Sequence, residues 1–530
     1  MGADVAAAGD QTPHRVSENL YGRFRAAVGD ETRPFIRLPG GRVYSHGDSA
    51  ARSAQYANAL LELGVEPGDR VAVQAAKSAE LIFLYLGCLR IGAVYLPLNT
   101  AYTLPELEYF IADAAPRVVV CPPQRLAAVL PLAQRLGVAH VATLGDGPGD
   151  GTGGVAAGSL AERADRQDRD CFDVECEVDS LAAILYTSGT TGRSKGAMLT
   201  HGNLASNAYC LKASWRYTAD DVLLHALPLF HIHGLFVAVN VTLAAGASLL
   251  LLPAFEPDRV FEQLPAATVL MGVPTFYVRL LQDPRLSREA TAHMRLFISG
   301  SAPLLAETHR EWAARTGHAI LERYGMTETG MNTSNPYGGE RVPGTVGRPL
   351  PGVSLRIVDL DSGVPVAAGA VGMIEVKGPN VFAGYWRMPD KTRAEFRDDG
   401  FFVTGDVGHI DERGYLHIVG RGKDLIITGG YNVYPREIEA ELDALPGVAE
   451  SAVIGLPHPD FGEGVTAVIV ATAQQPPPDE AAVIASLRER LAGYKCPKRV
   501  LVVPELPRNA MGKVQKNLLR DQYSNLYALA

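Results

Sequence analysis

The sequence predicts an α/β protein, with a large region of mostly parallel sheets flanked by helices followed by a smaller α+β lobe. Two observations carry this. From about residue 45, short apolar, β-branched runs alternate with longer amphipathic ones, an order that needs helical crossovers between parallel strands. After Asp406 the spacing tightens into short strands, and the chain finishes in a helix with a basic tail.

Taken in order, RVAVQA (70–75) reads as a strand and AELIFLYLGCLRIGA (79–93) as the helix after it. RVVVCP (117–122) is a second strand, with a Leu/Ala-rich helix behind it. ATVLMGV (267–273) precedes the helix PTFYVRLLQ, and RLFISGS (295–301) precedes LLAETHREWAART. In such sheets ligands sit at the carboxyl ends of the strands. GDGPGDGTGG (145–154) cannot bury apolar surface and reads as a surface loop. The change of rhythm places a boundary near Arg421, giving a flexible tail over 1–15, a large domain over 16–420 and a small lobe over 421–530.

With 47% hydrophobic and 20% charged residues, the 530-residue chain is too apolar to be disordered throughout. Its formal charge of -9 creates no global field for nucleic acid or an anionic membrane, so any phosphate binding must be local. Segment 488–520 holds nine Lys and Arg against Glu489 and Glu505, a basic edge suited to lie over phosphates. Six cysteines without a C-x-x-C pair, an N-terminus without a basic leader, and apolar runs of about ten residues point to a reducing, cytoplasmic setting with no membrane span.

The strongest local signal is ILYTSGTTGRSKGAMLTHGNL (184–204). An apolar strand enters Thr187, Ser188, Gly189, Thr190, Thr191 and Gly192, then Lys195. Glycines let backbone N–H groups converge, while hydroxyls and a lysine add donors for phosphate oxygens. The P-loop pattern fails here, because Ser194 stands where its second glycine belongs.

TSGTTGRSKG, together with YGMTET (324–329), TGD (404–406), GRGKDLIITGGYNVYPREIE (420–439) and PRNAMGKVQK (507–516), resembles the adenylate-forming acyl-CoA synthetase family across about residues 35–525. PLNTAYTLPELEYF, ALPLFHIHGLF and MGVPTFYVRLLQ are most similar to its malonyl-CoA synthetases. The resemblance implies the adenylate-forming fold, with a small β-barrel-like subdomain and a mobile C-terminal lobe. It also implies an ATP-dependent activity that joins a carboxylate to AMP and then passes the acyl group to CoA.

Residue roles follow from that resemblance. The loop from Thr187 to Gly192 and Lys195 would hold the triphosphate. Gly300, Ser301 and Ala302 would form the adenine loop, and alone read as a strand-helix connection. Tyr324, Gly325, Met326 and Thr327 would meet the nucleotide, with Tyr324 offering a flat face to the purine. Glu328 would ligate Mg2+; alone it reads as a helix N-terminal charge. Asp406, on a Gly-flanked turn, would accept the ribose hydroxyls beside Arg421; its bland alternative is an Asx turn. Lys513 would enter the site for adenylation and would be a target for a lysine acetyltransferase. Lys423 would be a hinge, and Thr428, Gly429 and Gly430 would line the pantetheine path. Thr187, Glu328 and Lys513 are the expected catalytic groups.

The acid is expected to be malonate. Arg279, in the apolar stretch TVLMGVPTFYVRLL, reads alone as a guanidinium that reaches to solvent; buried, it would pair with the second carboxylate. Ser301, His231, His233 and Met326 would complete the pocket, with methylmalonate as a poorer substrate. A monocarboxylate-activating acyl- or aryl-CoA synthetase is the alternative. A non-catalytic nucleotide-binding protein is disfavoured because Glu328 and Lys513 are both present. The expected assembly is a monomer or weak dimer.

Overall fold

A computed structural model describes residues 18–145, 156–187, 194–428, 431–472, 479–509 and 512–528. Four sheets organise them. The first has eight strands, with Arg70–Val73, Val94–Pro97, Val118–Cys121, His140–Thr143 and Ala156–Ser159 pairing in parallel. Leu181–Thr187 joins their edge and turns back antiparallel into Lys195–Thr200. The second has nine strands, and its parallel centre runs through Val222–His225, Val269–Gly272, Leu296–Ser299 and Leu321–Met326.

The strands at these parallel centres are nearly continuous apolar runs because both sheet faces are covered. Val118–Cys121 and Leu296–Ser299 are buried at every position. The helix Ala79–Arg90 is buried almost all round, as a helix apolar on every face must be. Ser78 caps its N-terminus, and its expected extension to residue 93 stops at Gly92, which turns the chain with φ 67°.

A four-stranded antiparallel sheet follows, with strands Ser354–Val358, Gly372–Lys377, Phe402–Ile410 and Leu416–Arg421. Gly422–Asp424 forms one tight turn, after which Ile426–Thr428 already belongs to the last sheet. That sheet carries Tyr431–Val433, Val448–His458, Gly462–Ala471 and Arg499–Val503, covered by the helices Pro435–Asp443, Glu480–Arg488 and Lys516–Tyr523.

The basic edge over 488–520 is mostly neutralised. Arg490, Lys495, Arg499, Arg508, Lys516 and Arg520 pair with Glu441, Glu437, Glu480, Glu450, Glu439 and Asp424. The sequence count overstated the free charge because those carboxylates lie outside the segment or arrive through tertiary contacts.

Trp312, on the helix Ala306–Thr316, is fully buried between the edges of Tyr277 and Phe297, 4.9 and 5.0 Å away between ring centres. It anchors that helix to the second sheet. Trp312→Ala is expected to cost about 3–5 kcal/mol of stability, read from the denaturant midpoint; a loss below 1 kcal/mol would contradict this packing.

Candidate active site

The carboxyl ends of the second sheet, the strand Leu181–Thr187, the antiparallel sheet and the Lys513 loop enclose one large cleft of about 1180 Å³. Thr187, Lys195, His231, Ser301, Gly325, Met326, Thr327, Glu328, Arg421, Lys423 and Lys513 all line it. Ser188, Gly189, Thr190, Thr191, Gly192, Gly429 and Gly430 lie outside the described residues, as do the 1–15 tail and almost all of the 145–154 loop.

Asp406 departs from the expected turn. It sits inside the strand Phe402–Ile410, in register with Arg421, just after Gly405 with φ 74°. Arg421 Nε forms an ion pair with its Oδ1 at 2.6 Å, and Tyr324 Oη donates to its Oδ2 at 2.6 Å. Tyr324 is buried, and neither it nor Asp406 is on the cleft wall. Gly300 and Ala302 are likewise off the wall, whereas Ser301 is on it.

At the opposite end the Lys195 amine lies 3.1 Å from Glu395 Oε1 and 4.2 Å from the centre of the Tyr385 ring. Tyr385 Oη reaches Glu395 Oε2 at 2.6 Å and Glu328 Oε1 at 3.1 Å. Burial raises the Glu328 carboxyl above its usual range. Tyr385 and Glu395 escaped the sequence reading because they lie 57 and 67 residues beyond Glu328 with no local pattern marking them. Among the described residues no three His, Cys, Asp or Glu side chains are arranged to hold a metal. One buried carboxylate on an open cleft nevertheless suits Mg2+, which keeps waters and takes phosphate oxygens as its other ligands.

The third region centres on a residue that sequence reasoning passed over. The register that sets Ser299 opposite Glu322 brings the next residue, Arg323, alongside Gly300. A Cβ at Gly300 would fall 2.4 Å from the Arg323 guanidinium, so only glycine leaves room for it. Arg323 is 3% exposed and lines the cleft, and its Nε and Nη2 have no hydrogen-bond partner. Burial pushes the guanidinium down to about 9. A buried cation without a partner is costly and is relieved by an anion.

Ser301 stands beside it with φ 69°, a strained value for a residue other than glycine. His233 Nδ1 lies 3.1 Å from Ser301 Oγ and holds it in place. His233 is fully buried and off the wall, so it reaches the cleft only through Ser301, while His231 faces it directly. The His233 amide donates to His231 Nδ1 at 3.2 Å. Burial lowers both imidazoles, His231 to about 3, and both are neutral near pH 7.

Arg279 is not buried. The helix Pro274–Leu281 turns Phe276, Tyr277, Leu280 and Leu281 to the core, which puts Thr275, Val278 and Arg279 on the outer face. Arg279 is exposed, off the cleft wall and without a carboxylate partner among the described residues. Thr275, one turn earlier on that face, neighbours Gly512 of the Lys513 loop.

Lys513 meets the solvent of the cleft yet is surrounded by protein, which lowers its amine below the usual lysine value. Arg421 and Arg323 add to this lowering, whereas Asp406 and Glu328 oppose it. Thr428 is buried, and its hydroxyl has no hydrogen-bond partner.

The chain matches the AMP-binding enzyme family over residues 24–386 and the AMP-binding enzyme C-terminal domain over 437–513. Among solved structures, ATP-bound MatB from Rhodopseudomonas palustris is 58% identical, covers 97% of this chain and 100% of its own, and superposes with a TM-score of 0.93. Apo MatB, at the same identity and coverage, superposes at 0.82, so the present arrangement is nearer the ATP-bound one. A malonate–CoA ligase from Arabidopsis thaliana is 35% identical over 96% of this chain and 90% of its own. A feruloyl-CoA synthase from Amycolatopsis sp is 36% identical over 91% and 95%.

Because the unfolded chain protonates its histidines near 6.5 while folded His231 resists to about 3, the neutral form contributes stability above 6.5 that is lost as pH falls through that window. Ring 15N shifts should show His231 neutral at pH 5. A midpoint near 6.5 would contradict its enclosure.

Proposed function

The chain belongs to the AMP-binding enzyme family, and we propose that it is an ATP-dependent ligase that activates malonate as malonyl-AMP and transfers the malonyl group to CoA, releasing AMP and pyrophosphate. The observation that carries the choice of acid is Arg323, buried on the cleft wall with its Nε and Nη2 unpartnered. Among the curated relatives, similarity to a malonate–CoA ligase and to a feruloyl-CoA synthase is nearly equal, whereas MatB is 58% identical. A dicarboxylate supplies one group for activation and one for the guanidinium. An apolar monocarboxylate would leave Arg323 unpaired at a cost of about 3–5 kcal/mol.

In this reading Arg323 and Ser301 hold the distal carboxylate, with His233 fixing Ser301 and with His231 and Met326 bounding the acyl space. Arg279 is a second, outer guanidinium on the face beneath the Lys513 loop. An oxygen of the other carboxylate attacks the α-phosphorus, the bond to the bridging oxygen breaks, and pyrophosphate leaves. Lys513 offsets the charge developing between the carboxylate and the α-phosphate. Thr187, Lys195 and the loop between them bind the triphosphate, Asp406 and Arg421 the ribose, and Ser301 with Gly325 to Thr327 the rest of the nucleotide. Glu328 would hold Mg2+, which when bound supplies positive charge to the triphosphate.

The lobe from 421 to 530 then turns against the domain 16–420 about Lys423. CoA approaches past Thr428, Gly429 and Gly430, and its thiolate attacks the acyl carbonyl so that AMP leaves. Acetylation of Lys513 by a lysine acetyltransferase would cancel its charge and stop the first step. We place this enzyme in the cytoplasm as a monomer or weak dimer. Among the described residues no helix is long and apolar enough to cross a membrane. Methylmalonate fits as a poorer substrate, since an added methyl costs only about 1–3 kcal/mol.

CoA-dependent AMP release should favour malonate over acetate, butyrate and benzoate by a few hundredfold or more. That preference should collapse in Arg323→Ala and survive largely in Arg279→Ala. The reverse pattern would make Arg279 the anchor, and preference for a monocarboxylate would discard malonate altogether. Lys513→Gln should abolish malonyl-AMP formation while leaving thioester formation from supplied malonyl-AMP. Since the lysine must be charged and its proton is loosened by enclosure, adenylation should fall on the alkaline side with a midpoint below 10.5. That limb should move upward in Lys513→Arg.

A further inference from the structure

Lys513 sits on a hairpin held closed by its own bonds. Asn509 Oδ1 accepts the Lys513 amide at 3.0 Å, the Asn509 amide donates back to the Lys513 carbonyl at 2.9 Å, and the Gln515 amide donates to the Pro507 carbonyl at 2.8 Å. These bonds do not fix the base of the hairpin, and two ion pairs tie this base to the lobe. Arg508 pairs with Glu450 at the surface. Lys516 Nζ lies 2.5 Å from Glu439 Oε1, and the Glu439 side chain is 4% exposed.

Glu439 joins three elements. It belongs to the helix Pro435–Asp443, it accepts the Val453 amide of the strand Val448–His458 at 2.9 Å, and it pairs with the first residue of the helix Lys516–Tyr523. The same helix meets the large domain at the strand Leu416–Arg421, where a Cβ at Gly420 would lie 4.0 Å from the Arg436 side chain. The position of the lobe on the large domain is thus passed through one buried carboxylate to the base of the Lys513 hairpin, three residues from the lysine.

We propose that Glu439 is a positioning residue for Lys513, acting through Lys516, so that it serves the adenylation step and not the thioester step. With Glu439 buried and Lys516 largely covered, this pair is less screened by solvent than the Arg508–Glu450 pair. A displacement of about 1 Å at a reacting group costs up to roughly 100-fold in rate. The inference rests on the role proposed above for Lys513.

The test compares wild type, Glu439→Gln, Lys516→Gln and the double variant in two half-reactions: acid-dependent exchange of pyrophosphate into ATP, and thioester formation from supplied acyl-AMP and CoA. The acid is whichever one wild type activates, so a failure of malonate itself shows in wild type and is separate from any failure of Glu439. Each single variant should lose roughly 10- to 100-fold in exchange with thioester formation kept within about twofold, and the double variant should be no worse than either. Equal losses in both half-reactions, additive losses, or unchanged exchange would overturn the proposal. Lys516→Gln leaves the buried carboxylate in place and keeps the test decisive should Glu439→Gln fold poorly.

Discussion

Arg323 brings a positive charge into the wall of the cleft, and among the described residues its Nε and Nη2 have no hydrogen-bond partner. Its position follows from one register: the strand Leu321–Met326 lies parallel to Leu296–Ser299, and the residue it faces at the end of that pairing is a glycine. A side chain at Gly300 would displace the guanidinium, and a carboxylate beside it would cancel the charge. The strained backbone of Ser301 and the buried imidazole that holds its hydroxyl belong to the same constraint, because both shape the space in front of Arg323.

The rest of the cleft is arranged by opposite means. Lys195 is matched by Glu395, Arg421 by Asp406, and Tyr385 bridges Glu395 and Glu328. These groups are already paired, so a nucleotide enters by exchange of partners, whereas the acyl end awaits an anion. Lys513 comes from the other lobe and stands between the two regions. A site assembled from two lobes joined by one short turn can be dismantled and rebuilt without unfolding either, and the better match to ATP-bound than to apo MatB fits such a division.

Much of this was legible in the sequence. Alternating strand and helix patterns gave the parallel sheets, because period and β-branching are local properties. The motif residues Thr187, Lys195, Met326, Glu328, Arg421 and Lys513, separated by up to 326 positions, do line one cleft, and their resemblance to a known family made that readable. What stayed hidden depended on pairing or phase. Arg323 reads as an ordinary strand charge until Gly300 is set beside it. Arg279, among apolar neighbours, reads either as buried against an anion or as reaching to solvent; the helix turns about 100° per residue, and the phase fixed by Phe276, Tyr277 and Leu280 sends it outward. The bond from the Tyr324 hydroxyl to Asp406, 82 positions on, is likewise a pairing with no local pattern to mark it.

The account turns on where the second carboxylate of the acid goes. The most direct measurement is a crystal structure with a non-reactive sulfamoyl analogue of malonyl-AMP. The distal carboxylate is predicted to lie about 2.7–2.9 Å from the Arg323 guanidinium, with Ser301 Oγ as its second donor. A distal carboxylate held elsewhere, with Arg323 still unpaired, would contradict the account.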